Sequence, residues 1–185
     1  AILAGLPVEQ VKIVEMATSE KLHLGIWCDA TGVTPIAGTR YTKQLPNGTY
    51  DICEAAFKKL PVAEQATFVA IKIPDIKVVV KTVKQMWPAI ESAIAAKQHL
   101  GIGCDVSGAS PITGNRYTKQ LRNDTYDVCE EVYNRLSAEE QAEFRVVGSP
   151  DIMLLIKSLA TNANGSNYLE PELTANDAVA AKAND

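Results

Sequence analysis

No run in this sequence comes near the roughly 18 consecutive apolar residues of a membrane span. Its most apolar stretches, such as residues 76–80, are broken by Lys77 and Lys81. A membrane-spanning helix is therefore not expected. Basic excess is missing too: 18 Lys and Arg face 22 Asp and Glu, for a net charge of −4. A protein that grips a phosphate backbone needs a basic face, so nucleic acid is not an expected partner. Enzyme signatures are absent as well. There is no G-x-S-x-G, no H-E-x-x-H and no P-loop, and the chain has only two histidines. A non-catalytic protein without a cofactor is expected. Disorder is excluded for most of the chain, because 46% of its residues are hydrophobic. The 185 residues suffice for one ordinary domain or two small ones. A first residue that is Ala, not Met, is what removal of a targeting segment would leave.

What the chain does have is a duplication. "HLGIWCDATGVTPIAGTRYTKQLPNGTYDIC", residues 23–53, returns as "HLGIGCDVSGASPITGNRYTKQLRNDTYDVC", residues 99–129. The offset is 76 residues throughout, so Cys28 maps to Cys104, Cys53 to Cys129, Arg40 to Arg116 and Asp51 to Asp127. About two-thirds of the positions are identical. The match runs on through "LPVAEQATF" against "LSAEEQAEF" and through "PDI" at Pro74 and Pro150. Each unit reads as a cysteine module, a short helix and a helix started by Pro.

Helix signals are plain. Ser137 and Glu140 form a capping-box pattern. Pro74 and Pro150 suit a first helical turn, where the missing N–H costs nothing. From Asp75 to about Gln98, apolar residues recur at helical spacing, with Pro88 placed to kink or split the helix. An earlier helix is expected from about Pro7 to Lys21. Gly32, Gly38 and "PNG" at 46–48 mark turns between short strands. The expected fold class is α+β: two small modules with short strands, each followed by helices and stabilised by a disulfide. The expected segments are an N-terminal helix in 1–22, a module in 23–74, a kinked linker helix in 75–98, a second module in 99–149, a helix in 150–160 and an extended tail in 161–185.

"CDAT", "PIAGTRYTK" and "YDIC" follow one another in order, twice, over about 31 residues per copy. This run resembles the ZZ-type zinc finger, which reads C-D-x-C, then P-I-x-G-x-R-Y-K-C-x-x-C, then Y-D-L-C-x-x-C. The departures fall on the ligands. Thr31 or Ser107 stands at the second Cys. Lys43 and about Pro46, or Lys119 and about Arg122, stand at the next pair, and Ala56 or Val132 at the last. Tetrahedral zinc needs four N or S ligands. At most two survive per copy, so no metal is expected.

The resemblance implies that the survivors are paired. Its first and fifth cysteines share one zinc, and their counterparts are Cys28 with Cys53 and Cys104 with Cys129. Thiols that shared a metal lie close enough for a disulfide. Each bridge would close a loop of about 25 residues, worth about 3 kcal/mol. The alternative is four buried free thiols. Disulfides would place the chain in an oxidising compartment, secreted or an organelle lumen such as the thylakoid. Sequons at Asn47, Asn123 and Asn164 allow glycosylation on a secretory route.

ZZ modules of the peptide-reading kind bind a protein N-terminus through acidic residues. Asp29 and Asp51 match two of those positions, and Asp105 and Asp127 match them in the second copy. The third position holds the uncharged Thr49 or Thr125. The plainer role for these Asp side chains is to accept backbone N–H bonds in turns. Arg40 and Arg116 read as turn-bonding residues, and His23 and His99 as packing residues before "LGI". Trp27, matched by Gly103, is either a core residue or an interface anchor. Two functions follow. The first is a non-catalytic structural or linker subunit of a multi-protein assembly, its tail 161–185 lying along a neighbouring subunit. The alternative is a peptide-reading module that uses the Asp pairs.

Overall fold

A computed structural model describes residues 2–162. Its architecture is α+β, with small antiparallel sheets set between helices. The first helix, α1, spans Val8–Ser19, and Pro7 stands at its N-cap. Next come two strands of two residues, β1 (Leu22–His23) and β2 (Ile36–Ala37). A hairpin of β3 (Arg40–Leu45) and β4 (Gly48–Cys53) follows, and Pro46 and Asn47 make its turn. Two one-turn helices, α2 (Glu54–Phe57) and α3 (Val62–Gln65), lead into β5 (Val69–Ile71). β5 pairs with the other edge of β3, giving the order β4-β3-β5. The long helix α4 spans Ile76–Ala95.

The second half repeats this series. It consists of β6 (Gln98–His99), β7 (Ile112–Thr113), β8 (Arg116–Gln120), β9 (Thr125–Cys129), α5 (Glu130–Tyr133), α6 (Ala138–Gln141), β10 (Arg145–Val147) and α7 (Ile152–Asn162). The registers repeat, Arg40 opposing Cys53 and Arg116 opposing Cys129, with one further pair, Leu45 with Gly48, at the end of the first hairpin.

Among the described residues, three apolar clusters hold the fold. The largest joins α1, α4 and α7 through Val14, Val79, Val83, Leu155 and Ile156, with Leu22 and Leu24. Each such side chain contributes about 1.5–3 kcal/mol when buried. Two smaller clusters lie inside the cysteine units: Cys28, Ile36, Ile52 and Ala56 in one, and Cys104, Ile112, Val128 and Val132 in the other. Each is walled by a stacked ring pair, Tyr41 on Phe57 at 3.6 Å and Tyr117 on Tyr133 at 3.7 Å.

Several boundaries differ from expectation. Pro74 and Pro150 lie outside their helices, because the next residue takes the N-cap. Asp75 accepts from the Lys77 N–H at 2.8 Å, and Asp151 accepts from those of Met153 and Leu154. Pro88 does not split α4. It is exposed, as is Lys84 one turn earlier, so the carbonyl that loses its N–H partner faces water. The capping box forms as expected, with Ser137 and Glu140 exchanging bonds. Thr161 and Asn162 belong to α7 and not to a tail. The expectation for the tail otherwise concerns residues 163–185, which lie outside the described residues. No helix among the described residues is long and apolar enough to cross a membrane.

Candidate functional site

The site is built where the first cysteine unit meets α4. Gly25 makes that meeting possible. Its φ is +80°, and a Cβ there would lie 2.5 Å from Thr82 Oγ1. Only glycine supplies both the left-handed backbone and the room. The approach leaves a cavity of about 500 Å³ beside it. Its unit wall includes Trp27, Asp29, Asn47 and Asp51, and its helix wall Lys81 and Gln85.

The four Asp residues singled out from sequence do different work. Asp51 is buried, and its Oδ1 lies 2.9 Å from Arg40 Nε. Its Oδ2 accepts from Thr49 Oγ1 at 2.8 Å. Asp127 repeats both contacts with Arg116 and Thr125, at 3.1 and 2.9 Å. Thr49 and Thr125, at the third acidic position, are therefore donors to the buried carboxylates. Asp29 and Asp105 are exposed, and each accepts the backbone N–H of its buried partner Asp at 2.6 Å. This is the turn-bonding role. It uses only one oxygen of each. The other oxygen of Asp29 accepts from the Trp27 indole N–H at 3.1 Å. Gly103 offers Asp105 no such donor.

Asp51 is thus offset by a cation, while Asp29 is not. Trp27 is 44% exposed, which settles its core-or-surface ambiguity. The Lys81 side chain has no hydrogen bond or ion pair among the described residues. Its counterpart Lys157 contacts Glu20 at 3.2 Å. Sequence reasoning missed Lys81 and Gln85, because their role depends on how α4 packs. The one visible signal was the Trp27–Gly103 difference between otherwise similar copies.

The sulfurs occupy the small cores. All four cysteines are free thiols and none lies at bonding distance. The expected partners are nonetheless neighbours: the Cys53 N–H donates to Cys28 Sγ at 3.3 Å, and that of Cys129 to Cys104 Sγ at 3.5 Å. Burial opposes ionisation of Cys104. Donation by the Ser107 hydroxyl and by the N–H groups of Ser107, Cys129 and Val106 outweighs it and brings the pKa down to about 7. Cys28 is shifted the same way. Burial is again opposed and outweighed, here by the Thr31 hydroxyl and the N–H groups of Cys53 and Ala30.

The remaining donors do not fit tetrahedral zinc. Two thiols and one hydroxyl stand near each first-ligand position, and the other ligand positions serve packing. Lys43 Nζ lies 5.1 Å from the Tyr50 ring centre and 4.9 Å from that of Phe68. Lys119 sits likewise over Tyr126 and Phe144, and also contacts Glu143 at 3.0 Å. Ala56 and Val132 are core residues. No group of three or more His, Cys, Asp or Glu among the described residues could hold a metal ion.

The histidines fasten turns. His23 Nε2 donates to the Gly38 carbonyl and His99 Nε2 to that of Gly114, both at 3.0 Å. Burial lowers both pKa values, with Arg40 and Arg116 adding to the effect against the carbonyl bonds and the nearby Asp.

Comparison with protein-family models, with curated proteins and with solved structures found no match.

Proposed function

We propose that this chain is a non-catalytic, protein-binding component of a larger assembly, and that its first cysteine unit takes hold of the amino terminus of a partner chain. The observation that carries this reading is the cavity at Trp27 and Asp29. An ammonium group there would meet the Asp29 carboxylate, which forms no ion pair among the described residues, and an exposed indole, two attractions for the same positive charge. Asp29 carries the charge. Asp51, whose charge is spent on Arg40, positions Asp29 through its backbone N–H. The second unit, with Gly103 for Trp27, serves as scaffold, and Asp105 and Asp127 have the structural share of the same roles.

The ZZ resemblance favours the same ligand class, carried by two units that have exchanged metal ligands for packed side chains. We further propose that Cys28–Cys53 and Cys104–Cys129 close as disulfides in an oxidising compartment, an organelle lumen or the cell exterior. Each closure would release two protons and pass two electrons to a disulfide-class oxidant. The neighbouring positions within each pair support that pairing.

The test uses Trp27 as reporter in a Trp87→Phe variant of the full chain. A set of peptides is titrated twice, with free and with acetylated amino termini. Free-amine peptides should shift the indole fluorescence saturably, and acetylation should remove the response. Equal binding by acetylated peptides, or no binding by any peptide, rejects the proposal.

A further inference from the structure

The two walls of the cavity carry opposite charge, and this narrows the ligand. On the unit wall the uncompensated charge is Asp29. On the helix wall it is Lys81, with Gln85 one turn farther along the same face of α4. The helix wall is fixed in place. Thr82, next to Lys81, is buried against Gly25, and Val79 and Val83 anchor that turn in the main core. Lys81 therefore stands at the cavity on a rigid element.

The internal repeat provides a control. At the equivalent place in the second half, Lys157 has its charge met by Glu20 from the end of α1. The Lys81 side chain has no such partner among the described residues. Its charge is left for whatever enters the cavity.

We infer that the cavity selects partner amino termini that carry an acidic side chain within their first few residues, the ammonium group at Asp29 and Trp27 and the carboxylate at Lys81 and Gln85. This rests on the amino-terminus reading above and adds the sequence preference. A ligand with only the ammonium would displace water from Lys81 without replacing its interactions, while a basic residue there would be repelled. The energy scale is that of an exposed pair, so the effect is on selectivity and is weakened by salt.

The experiment measures the affinity of the full chain for ten-residue peptides with free amino termini, identical except for Glu, Gln or Lys placed in turn at positions 2 to 4. Acetylated versions accompany them. Wild type should bind the best-placed Glu peptide about three- to fivefold more tightly than the Gln peptide at low ionic strength, with the Lys peptide weaker still. Lys81→Glu should reverse that order, and Lys81→Gln should flatten it. Circular dichroism of both variants should match wild type, since Lys81 is exposed. If free-amine peptides bind, acetylated ones do not, and Glu, Gln and Lys peptides bind alike at every position, this inference fails while the amino-terminus reading stands. If Lys81→Glu leaves the order unchanged, the inference also fails. If acetylation has no effect, the amino-terminus reading falls and takes the inference with it.

Discussion

The two cysteine units share a fold, and they differ where a ligand would touch them. Their sheets have the same registers, their buried Arg–Asp pairs the same geometry, and their stacked rings the same spacing. Yet the first presents Trp27 and an unpaired Lys81 to a cavity, while the second has Gly103 and a lysine paired with Glu20. The difference separates what makes the unit fold from what could make it bind. Interactions made in both copies, such as the Arg–Asp pairs and the bonds from Asp29 and Asp105 to the buried Asp, are sufficiently explained by stability. Those that differ are the ones to test for function.

The sharpest way to break the shared part is at the buried ion pairs. Asp51→Ala and Asp127→Ala each strand an arginine and a threonine hydroxyl. Each should cost about 3–5 kcal/mol, as for other broken buried pairs, and the two should agree closely. Denaturant unfolding checks this. A cost several-fold larger in one unit would contradict the equivalence.

Glycine substitutions should come next and should separate the units. Gly25→Ala combines a left-handed backbone with a clash against the stiff, β-branched Thr82, for about 2–4 kcal/mol. A Cβ at Gly101 would lie 2.7 Å from Ser158 Oγ, and serine rotates away more easily. That change should cost nearer the backbone strain alone, about 1–2 kcal/mol. Thermal or urea unfolding of both variants would decide between an ordered and an equal pair of values.

Two pH effects are smaller. Both histidines have lowered pKa values in the folded chain. Their contribution is therefore present above the ordinary value of 6.5 and is lost as pH falls below it. Urea midpoints should drop between about pH 7 and 5, and less so in the His23→Gln variant, where one of the two groups is gone. In the reduced chain Cys104 moves the other end of the range. Its folded pKa of about 7 lies below the ordinary thiol value of 9.0, so stability should rise as pH climbs between them. Thiolate ultraviolet absorbance of a variant retaining only Cys104 should show a midpoint near the lower value. A midpoint at the ordinary one would mean that Ser107 and the backbone N–H groups do not hold the sulfur as described.

Much of the scaffold was legible in the sequence because it is local or repeated. The offset of 76 residues, the Ser137–Glu140 box and the amphipathic run that became α4 all leave periodic or short-range marks. The third strand of each sheet, β5 and β10, left none, being three residues long and defined only by pairing with β3 or β8. The one-turn helices α2 and α5 were equally silent. Pro88 left splitting or kinking open, since its effect depends on whether the orphaned carbonyl meets water, which the sequence does not state; the helix runs through it unsplit. The Asp residues were found from the motif, but their division of labour was not. It arises from Arg40 two positions away on the neighbouring strand and from Trp27 beside Asp29. Lys81 is distant in sequence from both, so the cavity became visible only with the packing of Gly25 on Thr82.

The smallest effect on stability should have the largest effect on binding. Trp27→Ala removes a half-exposed side chain and should change stability by no more than about 1 kcal/mol, yet weaken a free-amine peptide about 30-fold, as for an interface anchor. The most direct measurement follows backbone amide resonances of the full chain while a free-amine, acidic peptide is added. Shifts should cluster at Trp27, Asp29, Asn47 and Lys81 and leave Gly103, Asp105 and Lys157 unmoved. Equal shifts in the two units, or shifts confined to the second, would contradict a binding site built into the first.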